Sequence, residues 1–71
     1  MTLTEIQNET ISDILEALKK VAKYDLYLWE YEKTHKTGII YNGMQIGLFS
    51  DFNSLYLALD TLYNFITISE V

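Results

Sequence analysis

Apolar positions change their period twice along this chain. From Ile11 to Ala22 they recur every three to four residues. Ile11, Ile14, Leu15, Leu18, Val21 and Ala22 fall on one arc, with Glu9, Ser12, Asp13, Glu16, Lys19, Lys20 and Lys23 opposite. That is the period of an amphipathic helix. Acids come early and lysines late, which complements the helix dipole, and Glu16 and Lys20 form a favourable i,i+4 pair. The pattern predicts a packed helix over Ile11–Ala22 with Leu3–Glu9 as an N-terminal extension. Two capping-box patterns offer a start, Thr2-x-x-Glu5 and Thr10-x-x-Asp13. Met1–Thr4 and the last two residues are expected to fray.

Between Tyr24 and Phe49 the period falls to two. Tyr27, Trp29 and Tyr31 alternate with Leu26, Leu28, Glu30 and Glu32, which predicts a strand over Tyr24–Lys33. A polar connection, Thr34–Gly38, leads to a second strand from Ile39 to Tyr41. Asn42-Gly43 then marks a two-residue hairpin, because a type I′ turn needs positive φ at both central residues. Met44–Phe49 is the third strand, and Gly47 inside it suggests a bulge or a close backbone approach. Beyond the capping oxygens of Ser50 and Asp51 the helical period returns. Phe52, Leu55, Leu59, Leu62, Tyr63 and Ile66 make its core stripe. Asn53, Asp60, Asn64 and Thr67 mark a wet side, which Leu57 and Ile68 interrupt, and Tyr56 and Phe65 widen the apolar arc to about half the circumference. Ile66-Thr67-Ile68 could instead be a short terminal strand.

The predicted fold is a small α+β domain of order α-β-β-β-α, one domain over 1–71. A three-stranded antiparallel meander carries two helices on one face. The hairpin pairs Tyr41 with Met44 and Ile39 with Ile46. A five-residue loop before Ile39 places Tyr27, Trp29 and Tyr31 on that same, helix-covered face. A four-residue loop would group the aromatic residues with Ile40 and Gln45 instead. The five-residue reading is preferred, because it sends Glu30, Glu32 and Gln45 outward together. It leaves Leu26, Leu28, Ile40 and Phe49 as an exposed apolar patch, and therefore as the expected self-association surface of a homo-oligomer.

Composition narrows the classes of function. Ten acidic residues against five lysines and no arginine give a net charge of −5. That disfavours direct nucleic-acid binding, which relies on basic groups neutralising phosphates, and it disfavours anionic membranes. It suits a basic protein partner. No cysteine is present, so neither a disulfide nor a cysteine-based zinc site supports the fold. A chain of 71 residues lies near the lower size limit for folding alone. A dense core or a partner subunit must compensate, and 49% of the residues are hydrophobic. No signal-peptide pattern opens the sequence, and Leu55–Ile68 is too short and too polar to span a bilayer. A cytoplasmic location is expected.

Candidate chemistry is sparse. His35, the single histidine, lies in a polar loop with no oriented partner, so a solvated loop residue outweighs a general base. Glu30 and Glu32 could act as a carboxylate pair, but an open sheet offers no cleft. No phosphate-loop glycine pattern, metal-ligand set or nucleophile motif is present. The expectation is therefore of a protein with no catalytic residues, metal or cofactor. The aromatic ladder could stack bases or sugars, but core packing is the favoured reading. Two acidic strips are the candidate partner-binding residues: Glu9, Asp13 and Glu16 on the first helix, joined by Glu5 if it starts early, and Glu30 and Glu32 on the first strand. The expected function is that of a small acidic interaction protein that binds, and inhibits or regulates, a basic macromolecule. Its format is shared by many phage- and plasmid-encoded accessory proteins, by composition and not by motif. The alternative is an assembly module acting as a homo-oligomer.

Overall fold

The computed structural model describes residues 1–69, and the side chains of 1–68. Five elements follow in the order α1 (Glu5–Val21), β1 (Leu26–Tyr31), β2 (Lys36–Tyr41), β3 (Met44–Phe49) and α2 (Phe52–Ser69). The sheet is an antiparallel meander with strand order β1-β2-β3. Both helices pack on one face of it, α1 beside β1 and α2 beside β3. The α-β-β-β-α architecture expected from the sequence is the one observed, and Ile66–Ile68 belongs to α2 and not to a strand.

Local chemistry sets the boundaries. The capping box of α1 lies at Thr4 and Gln7, between the two starts that the sequence offered. The Gln7 N–H donates to Thr4 Oγ1 at 3.2 Å, and the Thr4 N–H donates to Gln7 Oε1 at 3.0 Å. Two orphan donors of the first turn are thereby satisfied. The helix so started takes in the expected extension from Glu5 to Glu9, and leaves Leu3 and Thr4 outside it. Asp51 caps α2: its Oδ1 accepts from the Ser54 N–H at 2.8 Å and its Oδ2 from the Ser54 hydroxyl at 3.1 Å. Met1–Thr4, expected to fray, is docked on the fold in this structure. The Met1 amino group donates to the His35 carbonyl at 2.6 Å and lies 3.3 Å from Glu30 Oε1, and Leu3 packs against the core. The expected fraying at residues 70–71 lies outside the described residues.

The hairpin forms at Asn42-Gly43, with φ of 53° and 77°. Tyr41 pairs with Met44 and Ile40 with Gln45. A bulge at Ile46 then shifts the register, so that Ile39 pairs with Gly47 and not with Ile46. The Phe49 ring lies over Gly47, where an added Cβ would come within 2.6 Å of it. The bulge read from Gly47 is present one residue before it, and what approaches Gly47 is the Phe49 side chain and not another backbone.

The β1–β2 connection corrects the expected faces. It has four residues, Glu32–His35, and not five. His35 supplies the positive φ that closes it, at 55°, and its N–H donates to the Tyr31 carbonyl at 2.8 Å. Gly38 lies within β2 and pairs with Trp29. Leu26, Leu28 and Phe49 therefore face the helices, and Leu26 is a core residue at 1% exposure. Ile40 is on the opposite face, buried beside its register partners Tyr27 and Gln45. The four residues expected to form one exposed self-association patch do not share a face.

The physical preference is plain in the core itself. Leu26, Ile39, Leu55, Leu59, Ile11, Leu18 and Ile66 bury no polar side-chain atom. A core built from Tyr27, Trp29 and Tyr31 would need a partner for two hydroxyls and an indole N–H.

Candidate functional site

The open face of the sheet is the first candidate surface. Alternation along β1 points Tyr27, Trp29 and Tyr31 away from the helices, and all three are exposed, Trp29 to 56%. Register adds Lys36, Gly38 and Ile40 from β2 and Gln45 and Leu48 from β3. The Tyr31 hydroxyl donates to Gln45 Oε1 at 2.6 Å, from one edge strand to the other. That bond crosses Gly38, where a Cβ would stand 2.7 Å from the same oxygen and 3.4 Å from the Tyr31 ring. Glycine is thus the residue that lets the two side chains meet across the central strand. At the margin of β1 the aromatic residues meet charge: Trp29, Glu30, Tyr31, Glu32 and Lys33 line a shallow recess.

The acidic strips are placed differently from one another. Glu5, Glu9, Asp13 and Glu16 are all exposed on α1, within about an 80° arc at 100° per residue. They form one row, as an early helix start implies. Glu30 and Glu32 do not share a strand face. Glu30 ends the helix-facing side of β1 next to the Met1 amino group, whereas Glu32 has left the strand for the turn. The Glu30–Glu32 strip is therefore replaced by two carboxylates in different settings.

The second candidate surface is the outward side of α2. Asp60 is the one charged residue of this 18-residue helix, and it is half-buried. The exposed positions are Asn53, Ser54, Tyr56, Leu57, Thr61, Asn64, Phe65 and Ile68, none charged. Asp60 and Thr67, expected on a wet side, are half-buried, while Leu57 and Ile68 stand outward at 66% and 72% exposure. An open groove of about 590 Å³ runs between α2 and β3, lined by Ile39, Ile46, Phe49, Leu57, Ala58 and Phe65 among others. Sequence reading registered Leu57 and Ile68 only as interruptions. The signal that would have found this surface is the scarcity of charge on the whole helix, since an outward side with large apolar residues and no charge is one suited to being covered.

His35 is exposed, and its visible task is the positive φ of the loop. Among the described residues no group of His, Asp and Glu side chains is arranged to hold a metal ion. No described helix is long and apolar enough to cross a membrane. No family model, curated protein or solved structure matches this chain.

Proposed function

We propose that this chain is a small non-enzymatic interaction protein that binds a basic protein partner through the open face of its sheet, and regulates that partner by occupying its basic surface. The observation that carries the reading is the exposure of Tyr27, Trp29 and Tyr31 on a sheet face that neither helix covers. Tyr and Trp dominate the energetics of protein interfaces, because each brings large contact area with few rotors to freeze. The aromatic faces, with Glu32 at the margin of β1, also suit a guanidinium or ammonium group, by cation–π attraction and ion pairing together. The exposed row Glu5, Glu9, Asp13 and Glu16 adds long-range attraction for a basic surface.

Affinity capture with matched variants tests this. Capture of a basic protein that is lost with Trp29→Thr, and slowed and made less salt-sensitive by Glu9→Lys/Asp13→Lys, supports the reading. Capture that Trp29→Thr leaves intact, or partners with no basic surface, overturns it. A second reading, an assembly module, is favoured by a different observation, the uncharged outward side of α2.

A further inference from the structure

The geometry points to α2 and the α2–β3 groove as the seat of a second copy of this chain, joined about a two-fold axis that passes near Thr61. The inference stands apart from the partner surface proposed above, because it uses the other side of the molecule.

Three observations select this occupant. The first is exposure. Leu57, Phe65 and Ile68 stand on one side of α2 at 66%, 69% and 72% exposure, a cluster of large apolar side chains of the kind that marks an interface.

The second is charge. The chain carries −5, yet the exposed positions of α2 carry none of it. A basic partner would find on this helix only the half-buried Asp60 to pair with. An anionic lipid surface would meet a net-negative protein with no basic residue on the apolar helix. A second copy meets its own neutral surface.

The third is self-complementarity, which a two-fold interface requires because the same patch must serve both sides. Leu57 and Phe65 lie four residues to either side of Thr61, about 6 Å of helix each way. Antiparallel α2 helices crossing at Thr61 therefore set Leu57 of one copy against Phe65 of the other. The groove beside β3, floored by Ile39 and Phe49, receives what projects from the opposing helix. Thr61 is small and uncharged, which lets the helices approach at the axis.

The test is the mass in solution of the full chain, by analytical ultracentrifugation and native mass spectrometry. The wild type is expected to run at twice 8.3 kDa. Leu57→Glu is expected to weaken dimerisation at least about 100-fold by burying an unpaired carboxylate, while Trp29→Thr leaves the mass unchanged. These 71 residues contain no cysteine, so Thr61→Cys reports the axis directly: oxidation or a short bis-maleimide should link two copies, and the same reagents should not link Trp29→Cys. This second measurement needs no destabilising change and holds if Leu57→Glu fails to fold. A wild-type monomer at high micromolar concentration overturns the inference, whatever else α2 then takes up. So does efficient linkage of Trp29→Cys with none of Thr61→Cys, which would move the interface to the sheet.

Discussion

Leu26 and Trp29 are three residues apart on one strand, and their relative cost on mutation reports which face of the sheet is the core. Leu26 is 1% exposed and touches a cluster that includes Ile11, Leu18, Ile39 and Leu59. Leu26→Ala removes three carbons at about 0.8 kcal/mol each. The residual cavity adds to that, for a total of about 3 kcal/mol, within the range measured for buried leucines. Trp29 is more than half exposed, and Trp29→Thr keeps a residue that favours strands, so its cost is about 1 kcal/mol. For a domain of this size each kcal/mol moves the melting temperature by about 4–8 °C. Leu26→Ala should therefore lower it by about 12–24 °C, and Trp29→Thr by roughly a third of that. Both are compared by thermal and urea unfolding at one protein concentration, because association makes apparent stability concentration-dependent. Trp29 is the single tryptophan, so its fluorescence gives an independent reading: native emission should already be that of a wet indole and open to acrylamide quenching. If Trp29→Thr costs as much as Leu26→Ala, or if native emission is blue-shifted and protected, the four-residue loop and the face assignment drawn from it are wrong.

Two further changes probe the local signals that build the fold. Gly43→Val forces a β-branched side chain to a φ of 77° and should destabilise by more than about 1 kcal/mol in urea unfolding, with Gly43→Asn costing less; equal stability of all three proteins would displace the turn. Removing either helix cap, by Thr4→Ala or Asp51→Ala, should cost about 1 kcal/mol each, read as a lower urea midpoint at unchanged slope.

Much of this molecule is decided by short-range chemistry that the sequence carries openly. Asn42-Gly43 dictates a type I′ hairpin because few other pairs tolerate two positive φ angles in succession. The alternation of β1, the capping oxygen of Asp51 and the 3.6-residue stripe of Leu55, Leu59 and Ile66 act within a few residues of themselves. Element order and fold class follow from them, as does the acidic row of α1.

What only the tertiary structure decided is parity. One residue more or less in the β1–β2 loop exchanges the two faces of β1, and local propensity is nearly blind to that choice. It turned on His35 taking the left-handed conformation, which left Gly38 to the strand. The bulge at Ile46 did the same within β3, turning Leu48 outward and Phe49 in. Global packing settled both. The face made of Leu26, Leu28 and Ile39 is sealed under two helices with no described buried side-chain polar atom left unpartnered, Thr37 included, whereas burying Tyr27, Trp29 and Tyr31 would demand partners for two hydroxyls and an indole N–H. The candidate surfaces are the remainder of that decision, the aromatic side of the sheet and the neutral side of α2. They were hidden in the sequence because an apolar residue looks the same whether it is bound for the core or for an interface.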